Sequence, residues 1–303
     1  MATLNRLRAA LGRARSSRWA GEPLLWVEAF VLFNFLCLTL DIYLAHSTNS
    51  FRRASEYVPL YFSAAAPLVL LAGLVARERY GYAPIWRDLG HLVGWLAVAV
   101  GLAGVVLHLD SRFFYDTTIR SLTYAAPFAA PLAYTGLGLL LILNRMVRAE
   151  TAEWAYWLLL LALGGFLGNF VFSLTDHATN GFFRAVEWLP VASSAFAVSF
   201  LLVPFMVRVG RRFLILCAGV LILQALVGVL GFLLHAAADI EGPSSSAFEN
   251  IVHGAPPLAP LLFPNLVLLG LIALWVLNRH LPEPTATQAD EISGAQARTG
   301  STP

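Results

Sequence analysis

Residues 46–59 read HSTNSFRRASEYVP and residues 177–190 read HATNGFFRAVEWLP, 131 positions later. His46/His177, Thr48/Thr179, Asn49/Asn180, Phe51/Phe182, Arg53/Arg184, Ala54/Ala185, Glu56/Glu187 and Pro59/Pro190 are identical pairs. Asp176 stands beside the second histidine and Asp41 five residues before the first. Imidazole and carboxylate converging from two copies is the composition of a divalent transition-metal site or of a proton-coupled binding pocket. On the metal reading the ligands are His46, His177, His108, His235, Asp41 and Asp176. No spacing matches an HExxH or di-iron ExxH motif, so the signal is regional clustering.

His108 and His235 each follow a glycine by four residues, Gly104 and Gly231. Glycine and histidine then share a helix face, leaving a notch one turn below the ring. Two such histidines could ligate a metal or a haem iron, with the notch admitting a porphyrin edge. Alternatively, each imidazole bonds water or a neighbouring acid, and the glycines serve helix contact. In the repeated phrase, Arg53 with Glu56 and Arg184 with Glu187 have the i, i+3 spacing of helical ion pairs. Asn49 and Asn180 suit turns, and Thr48, Ser50 and Thr179 suit caps for the segments that follow. These residues are a binding set or plain architecture.

Several chemistries lack support. There is no lysine, which excludes a lysine Schiff base. No GxSxG, Walker loop, dinucleotide fingerprint or kinase signature occurs. Cys37 and Cys217 lie singly in apolar stretches and form no CxxC. A nucleic-acid partner is not expected.

The elements that must position these residues are membrane helices. Of 303 residues, 58% are hydrophobic and 13% charged, against about 25% charged in soluble chains. Apolar runs near 24–45, 58–76, 91–108, 124–144, 154–174, 189–207, 213–235 and 256–277 have the length needed to cross about 30 Å of hydrocarbon. This predicts an all-α integral membrane protein of eight transmembrane helices. Beyond the phrase, APFAAPL (126–132) echoes APPLAPL (255–261), GVVLH (104–108) echoes GFLLH (231–235), and Asn34 echoes Asn169 with a slightly larger slip. Residues 23–150 and 151–280 therefore read as tandem copies of a four-helix unit, a parallel repeat with a pseudo-two-fold axis along the membrane normal. Mates such as His108 and His235 would meet near that axis. Pro59, Pro127, Pro190 and Pro256 would open helices 2, 4, 6 and 8. Glycines at 101, 104, 164, 168, 228 and 231 would bring helices 3, 5 and 7 close to their neighbours.

Fifteen of the twenty arginines fall on one side of this arrangement, which places both termini in the cytoplasm of a bacterial inner membrane. Residues 1–22 form a basic amphipathic segment suited to an anionic lipid surface, and 281–303 a disordered tail. The polar residues gather at the outward ends of the helices. The expected function is an outward-facing His/Asp/Glu site at the repeat interface that binds a metal, a haem or a small polar solute in transport or membrane redox work. Glu28 would reach headgroups, while Asn34 and Asn169 would bond neighbouring helices. A membrane-embedded enzyme using carboxylate and histidine on a lipid-like substrate, or a scaffold with no pocket, are the other readings. No cofactor or protein partner beyond these is specified.

Overall fold

The computed structural model describes residues 22–81 and 84–281. The expected basic segment and tail, apart from Glu22 and Leu281, lie outside the described residues. Ten α-helices and three short 3-10 turns, without strands, make up the described residues. The helices are α1 (Pro23–Ser47), α2 (Tyr57–Tyr80), α3 (Pro84–Asp110), α4 (Ile119–Thr123), α5 (Leu132–Met146), α6 (Ala152–Thr179), α7 (Trp188–Met206), α8 (Arg211–Ile240), α9 (Ala247–His253) and α10 (Leu262–Arg279).

Seven of them, α1, α2, α3, α6, α7, α8 and α10, are long and apolar enough to cross a membrane. The chain is a multi-pass helical membrane protein. Its helices are apolar all round, as lipid requires. On α1, Val27, Val31 and Phe35 are fully buried, while Phe33, Leu36 and Leu40 are exposed. The expected eighth span, α5, has only 15 residues, roughly 22 Å at 1.5 Å per residue. Residues 124–131 form turns instead of its first two helical turns. Proline explains the loss: Pro127 and Pro131 have no N–H to donate to a helix ladder. APPLAPL behaves alike, and α10 begins only at Leu262. Thus Pro127 and Pro256 precede helices and do not open them.

In the first half α1 packs on α2, α2 on α3, and α3 on α5; in the second, α6 packs on α7, α7 on α8, and α8 on α10. Helix α10 also closes onto α6. The halves meet where α5 touches α6 and α1 touches α10, and each short helix reaches across, α4 to α6 and α9 to α1. Asn34 and Asn265 exchange amide hydrogen bonds over this junction, Asn34 Nδ2 donating to Asn265 Oδ1 at 3.0 Å. Asn34 therefore bonds a neighbouring helix, as expected. Asn169 does not: its Nδ2 is buried without a partner. Both α1 and α6 run unbroken, so no slip separates them. At the phrase's spacing of 131, Asn34 corresponds to Gly165, and Asn169 to Leu38, one turn further along.

The end of the bundle away from the phrase is fastened by a buried ion pair. Glu28 does not reach headgroups; its side chain is 4% exposed and that of Arg145 1%. Arg145 donates from Nη1 to Oε1 at 2.8 Å and from Nη2 to Oε2 at 3.1 Å. Asn144 adds a donor to Oε1 at 3.1 Å and accepts from Trp154 Nε1 at 3.0 Å. The guanidinium also lies 4.5 Å over the Trp86 ring, whose other near cation is Arg77 at 5.1 Å. Four helices, α1, α3, α5 and α6, thus converge on one carboxylate and its partner.

Removing one member of such a pair strands the other charge, a loss of about 3–5 kcal/mol. Glu28→Leu should therefore lower the denaturation midpoint in detergent strongly. The double variant Glu28→Leu/Arg145→Met should recover most of it; a double variant as unstable as the single would show that the pair is not what the site needs.

Candidate functional site

The repeated phrase is a helix ending followed by a tight return. In α1 the Phe51 N–H bonds the His46 carbonyl at 3.1 Å, and in α6 Phe182 bonds His177 at 3.2 Å. This is a Schellman-type closure, which needs a left-handed residue just past the helix. Gly181 supplies it at φ 69°, whereas Ser50 does so at φ 59°. Phe51 and Phe182 also hold positive φ, 49° and 51°, which costs an L residue roughly 1–2 kcal/mol. Stacking offsets the strain: Phe51 lies on Tyr57 at 4.8 Å and Phe182 on Trp188 at 3.9 Å. Each phenyl ring also meets its histidine, at 5.8 and 6.1 Å.

The return brings a glutamate back over that histidine. His46 Nδ1 lies 3.6 Å from Glu56 Oε2, and His177 Nδ1 3.9 Å from Glu187 Oε2. The expected Arg53–Glu56 and Arg184–Glu187 pairs do not form, because the carboxylates turn inward and the arginines outward. Arg184 lies over the Phe183 ring at 5.4 Å. Thr48 and Thr179 bond carbonyls of their own helix, Ala45 and Asp176, so they do not cap the next segment. Asn49 forms an Asx turn to the Phe51 N–H and donates to Glu56 at 3.2 Å. Asn180 makes no such bond to Glu187 among the described residues.

The second pair of histidines joins from α3 and α8. His108 lies 6.3 Å from His46, and His235 6.4 Å from His177, ring to ring and nearly edge-on. The imidazoles thus associate within each half, not as mates across an axis. His108 Nδ1 is 2.9 Å from the Pro127 carbonyl, and His235 Nδ1 2.9 Å from that of Pro256. A carbonyl only accepts, so Nδ1 carries a proton and, in the neutral ring, Nε2 keeps its lone pair. The glycine notches are not open. Where a Cβ on Gly104 would sit, the Pro131 ring is 2.7 Å away, and Pro260 stands 2.9 Å from the same point on Gly231. A porphyrin edge would meet proline there. Gly164 and Gly168, by contrast, face open space and make no close helix contact. Nor does any group of three His, Cys, Asp or Glu among the described residues draw close enough to hold a metal ion. The metal set loses its convergence because Asp41 and Asp176 sit at different heights, aligned with Phe172 and Ala45 respectively.

No family model, curated protein or solved structure matches this chain.

The second half encloses a cavity of about 470 Å³ between α6, α7, α8 and α10. One wall is the polar stripe of α6: Asn169, Ser173, Asp176, His177 and Asn180, at intervals that keep one helical face. The opposite wall is apolar, from Val227, Leu230 and Leu234 of α8 and Phe263 of α10. Glu187, His235 and His253 complete the mouth. Asn169 at the floor is 5% exposed. In the first half the corresponding α1 positions carry larger apolar groups, Ile42 for Ser173 and Leu38 for Asn169. Phe62, at the place of Ser193, packs edge-on against Phe35 and lies beside Tyr134. The phrase marked the mouth. Ser173 and His253 were missed, since their role depends on what the facing helices leave empty.

The Schellman position offers a direct test. Ser50→Gly should raise the denaturation midpoint, stabilising by up to about 1 kcal/mol, and Gly181→Ala should lower it by a similar amount. Equal midpoints for all three proteins would show that the left-handed turn is not under strain.

Proposed function

We propose that this chain is a bacterial inner-membrane protein built from two parallel four-helix units, with both termini cytoplasmic, that carries a small polar organic solute through its second unit. In this reading α5 with its proline-rich lead-in makes the eighth crossing. The matched turns, His–Glu approaches and imidazole–carbonyl bonds of the two halves support the duplication. The observation that carries the function is the cavity and its depth. Asn169 lies ten residues below the end of α6, about 15 Å along the axis and so about half the hydrocarbon thickness. A transported solute needs a site at that depth. An organic solute fits better than a metal or haem because the wall is mixed polar and apolar, while proline fills the notches and no three ligands converge among the described residues.

The test uses protein purified in mild detergent and heated with millimolar amino acids, polyols, amines or carboxylates. At least one class should stabilise it, by about 2.7 kcal/mol at a hundredfold excess over Kd, and the cavity-filling Ser173→Trp variant should lose that response while keeping its fold. Stabilisation by no class would overturn the proposal, as would a stoichiometric transition metal that disappears in the His108→Ala/His235→Ala double variant.

A further inference from the structure

The charges around the cavity are not evenly placed. Asp176 and Glu187 both line it, and Glu187 is 9% exposed. Arg184, the one arginine among the lining residues, is exposed at the mouth with its guanidinium over Phe183. Water screens a charge in that position far more than one inside a low-dielectric wall. With neutral imidazoles the interior therefore presents a net negative field. Glu187 Oε2 is buried with no hydrogen-bond donor, as is Glu56 Oε2 in the other half; there Asn49 donates to Glu56 Oε1, whereas Asn180 gives Glu187 no such bond, so in the cavity half the carboxylate lacks that donor as well. Phe172, Phe183 and Phe263 add aromatic surface to the lining, and carboxylates beside aromatic faces are the environment that organic ammonium groups select. At the far end, Asn169 Nδ2 is a buried donor without an acceptor.

Resting on the reading of the cavity as a solute site, we infer that its ligand is an organic cation, with an ammonium group against Asp176 and Glu187 and a hydrogen-bond acceptor at Asn169. Seven residues of α6 separate Asp176 from Asn169, so the two ligand groups stand about 10 Å apart. The body between them lies with one side on Ser173 and the other on the apolar wall of α8. Unpartnered buried groups at both ends are then satisfied by one molecule, which removes the penalty that each carries alone.

The experiment places a single cysteine at Ser173, with Cys37 and Cys217 replaced by alanine, and a second reporter at Leu234. Full-length protein in detergent at about pH 8, where a free imidazole is mostly neutral, is treated with 2-aminoethyl or 2-sulfonatoethyl methanethiosulfonate. Rates are normalised to a small thiol in solution. The ammonium reagent should label both reporters about tenfold faster than the sulfonate, as a focused negative field would produce. Glu187→Gln should reduce that ratio severalfold, and choline should slow labelling beyond an equal concentration of sodium chloride. A ratio near one, or choline acting no more than sodium chloride, overturns the cation assignment and leaves the cavity intact. No labelling of either reporter by either reagent removes the solute site itself, and the inference with it.

Discussion

An irregular backbone among apolar helices must find partners for its own amide and carbonyl groups, because hydrocarbon supplies none. That constraint organises the histidine end of this protein. The stretches before α5 and α10 leave the helix, and their prolines reduce the number of N–H groups to be matched. What remains is met by turn bonds within the stretches and by side chains: Pro127 and Pro256 carbonyls take the imidazole N–H of His108 and His235, while the Ala126 and Ala255 amides bond Ser111 and Asp239. Pro131 and Pro260 of the same stretches press into glycines of α3 and α8. Unwinding, histidine and glycine are thus one device, used twice. It fixes Nδ1 of each imidazole as the proton-bearing nitrogen.

Much of the scaffold was legible in the chain because hydrocarbon thickness imposes a length and a composition. The repeated phrase was legible as a pair of turns, since its asparagines suit chain reversal; the left-handed residues and the aromatic stacking that close them were not. What misled was the reading of APFAAPL as part of a span. Hydropathy counts its alanines, phenylalanine and prolines as apolar, yet helix formation depends on donors that proline lacks. The Glu28–Arg145 pair was illegible for a different reason. Its partners stand 117 positions apart, and an arginine at a helix end reads as a topology signal.

The cavity was least legible. It arises from a difference in volume between positions that look interchangeable in pattern, a serine where the other half has isoleucine, and from which aromatic rings lean inward. Charge identity could be read from residues 176–187, but the contrast between a buried Glu187 and an exposed Arg184 could not. Duplicated motifs announce where two sites could be; packing decides which is hollow. Gln224 is fully buried in α8 with both amide atoms unpartnered.

The buried ion pair also sets an order for biogenesis. Glu28 enters the membrane with the first helix, long before residues 141–146 leave the ribosome. Until then its carboxylate has no guanidinium, and an ionised group within a lone membrane helix costs several kcal/mol at the centre and less near an end. Glu28, five positions after Glu22–Pro23, lies near such an end, so the young helix can sit shallow with its carboxylate in the interface. Arrival of α5 draws it inward and locks α1 to α3, and α6 joins once Trp154 has followed. Final seating of the first helix is therefore a late event in assembly, and a nascent chain stopped before α5 leaves α1 exposed to quality-control proteases.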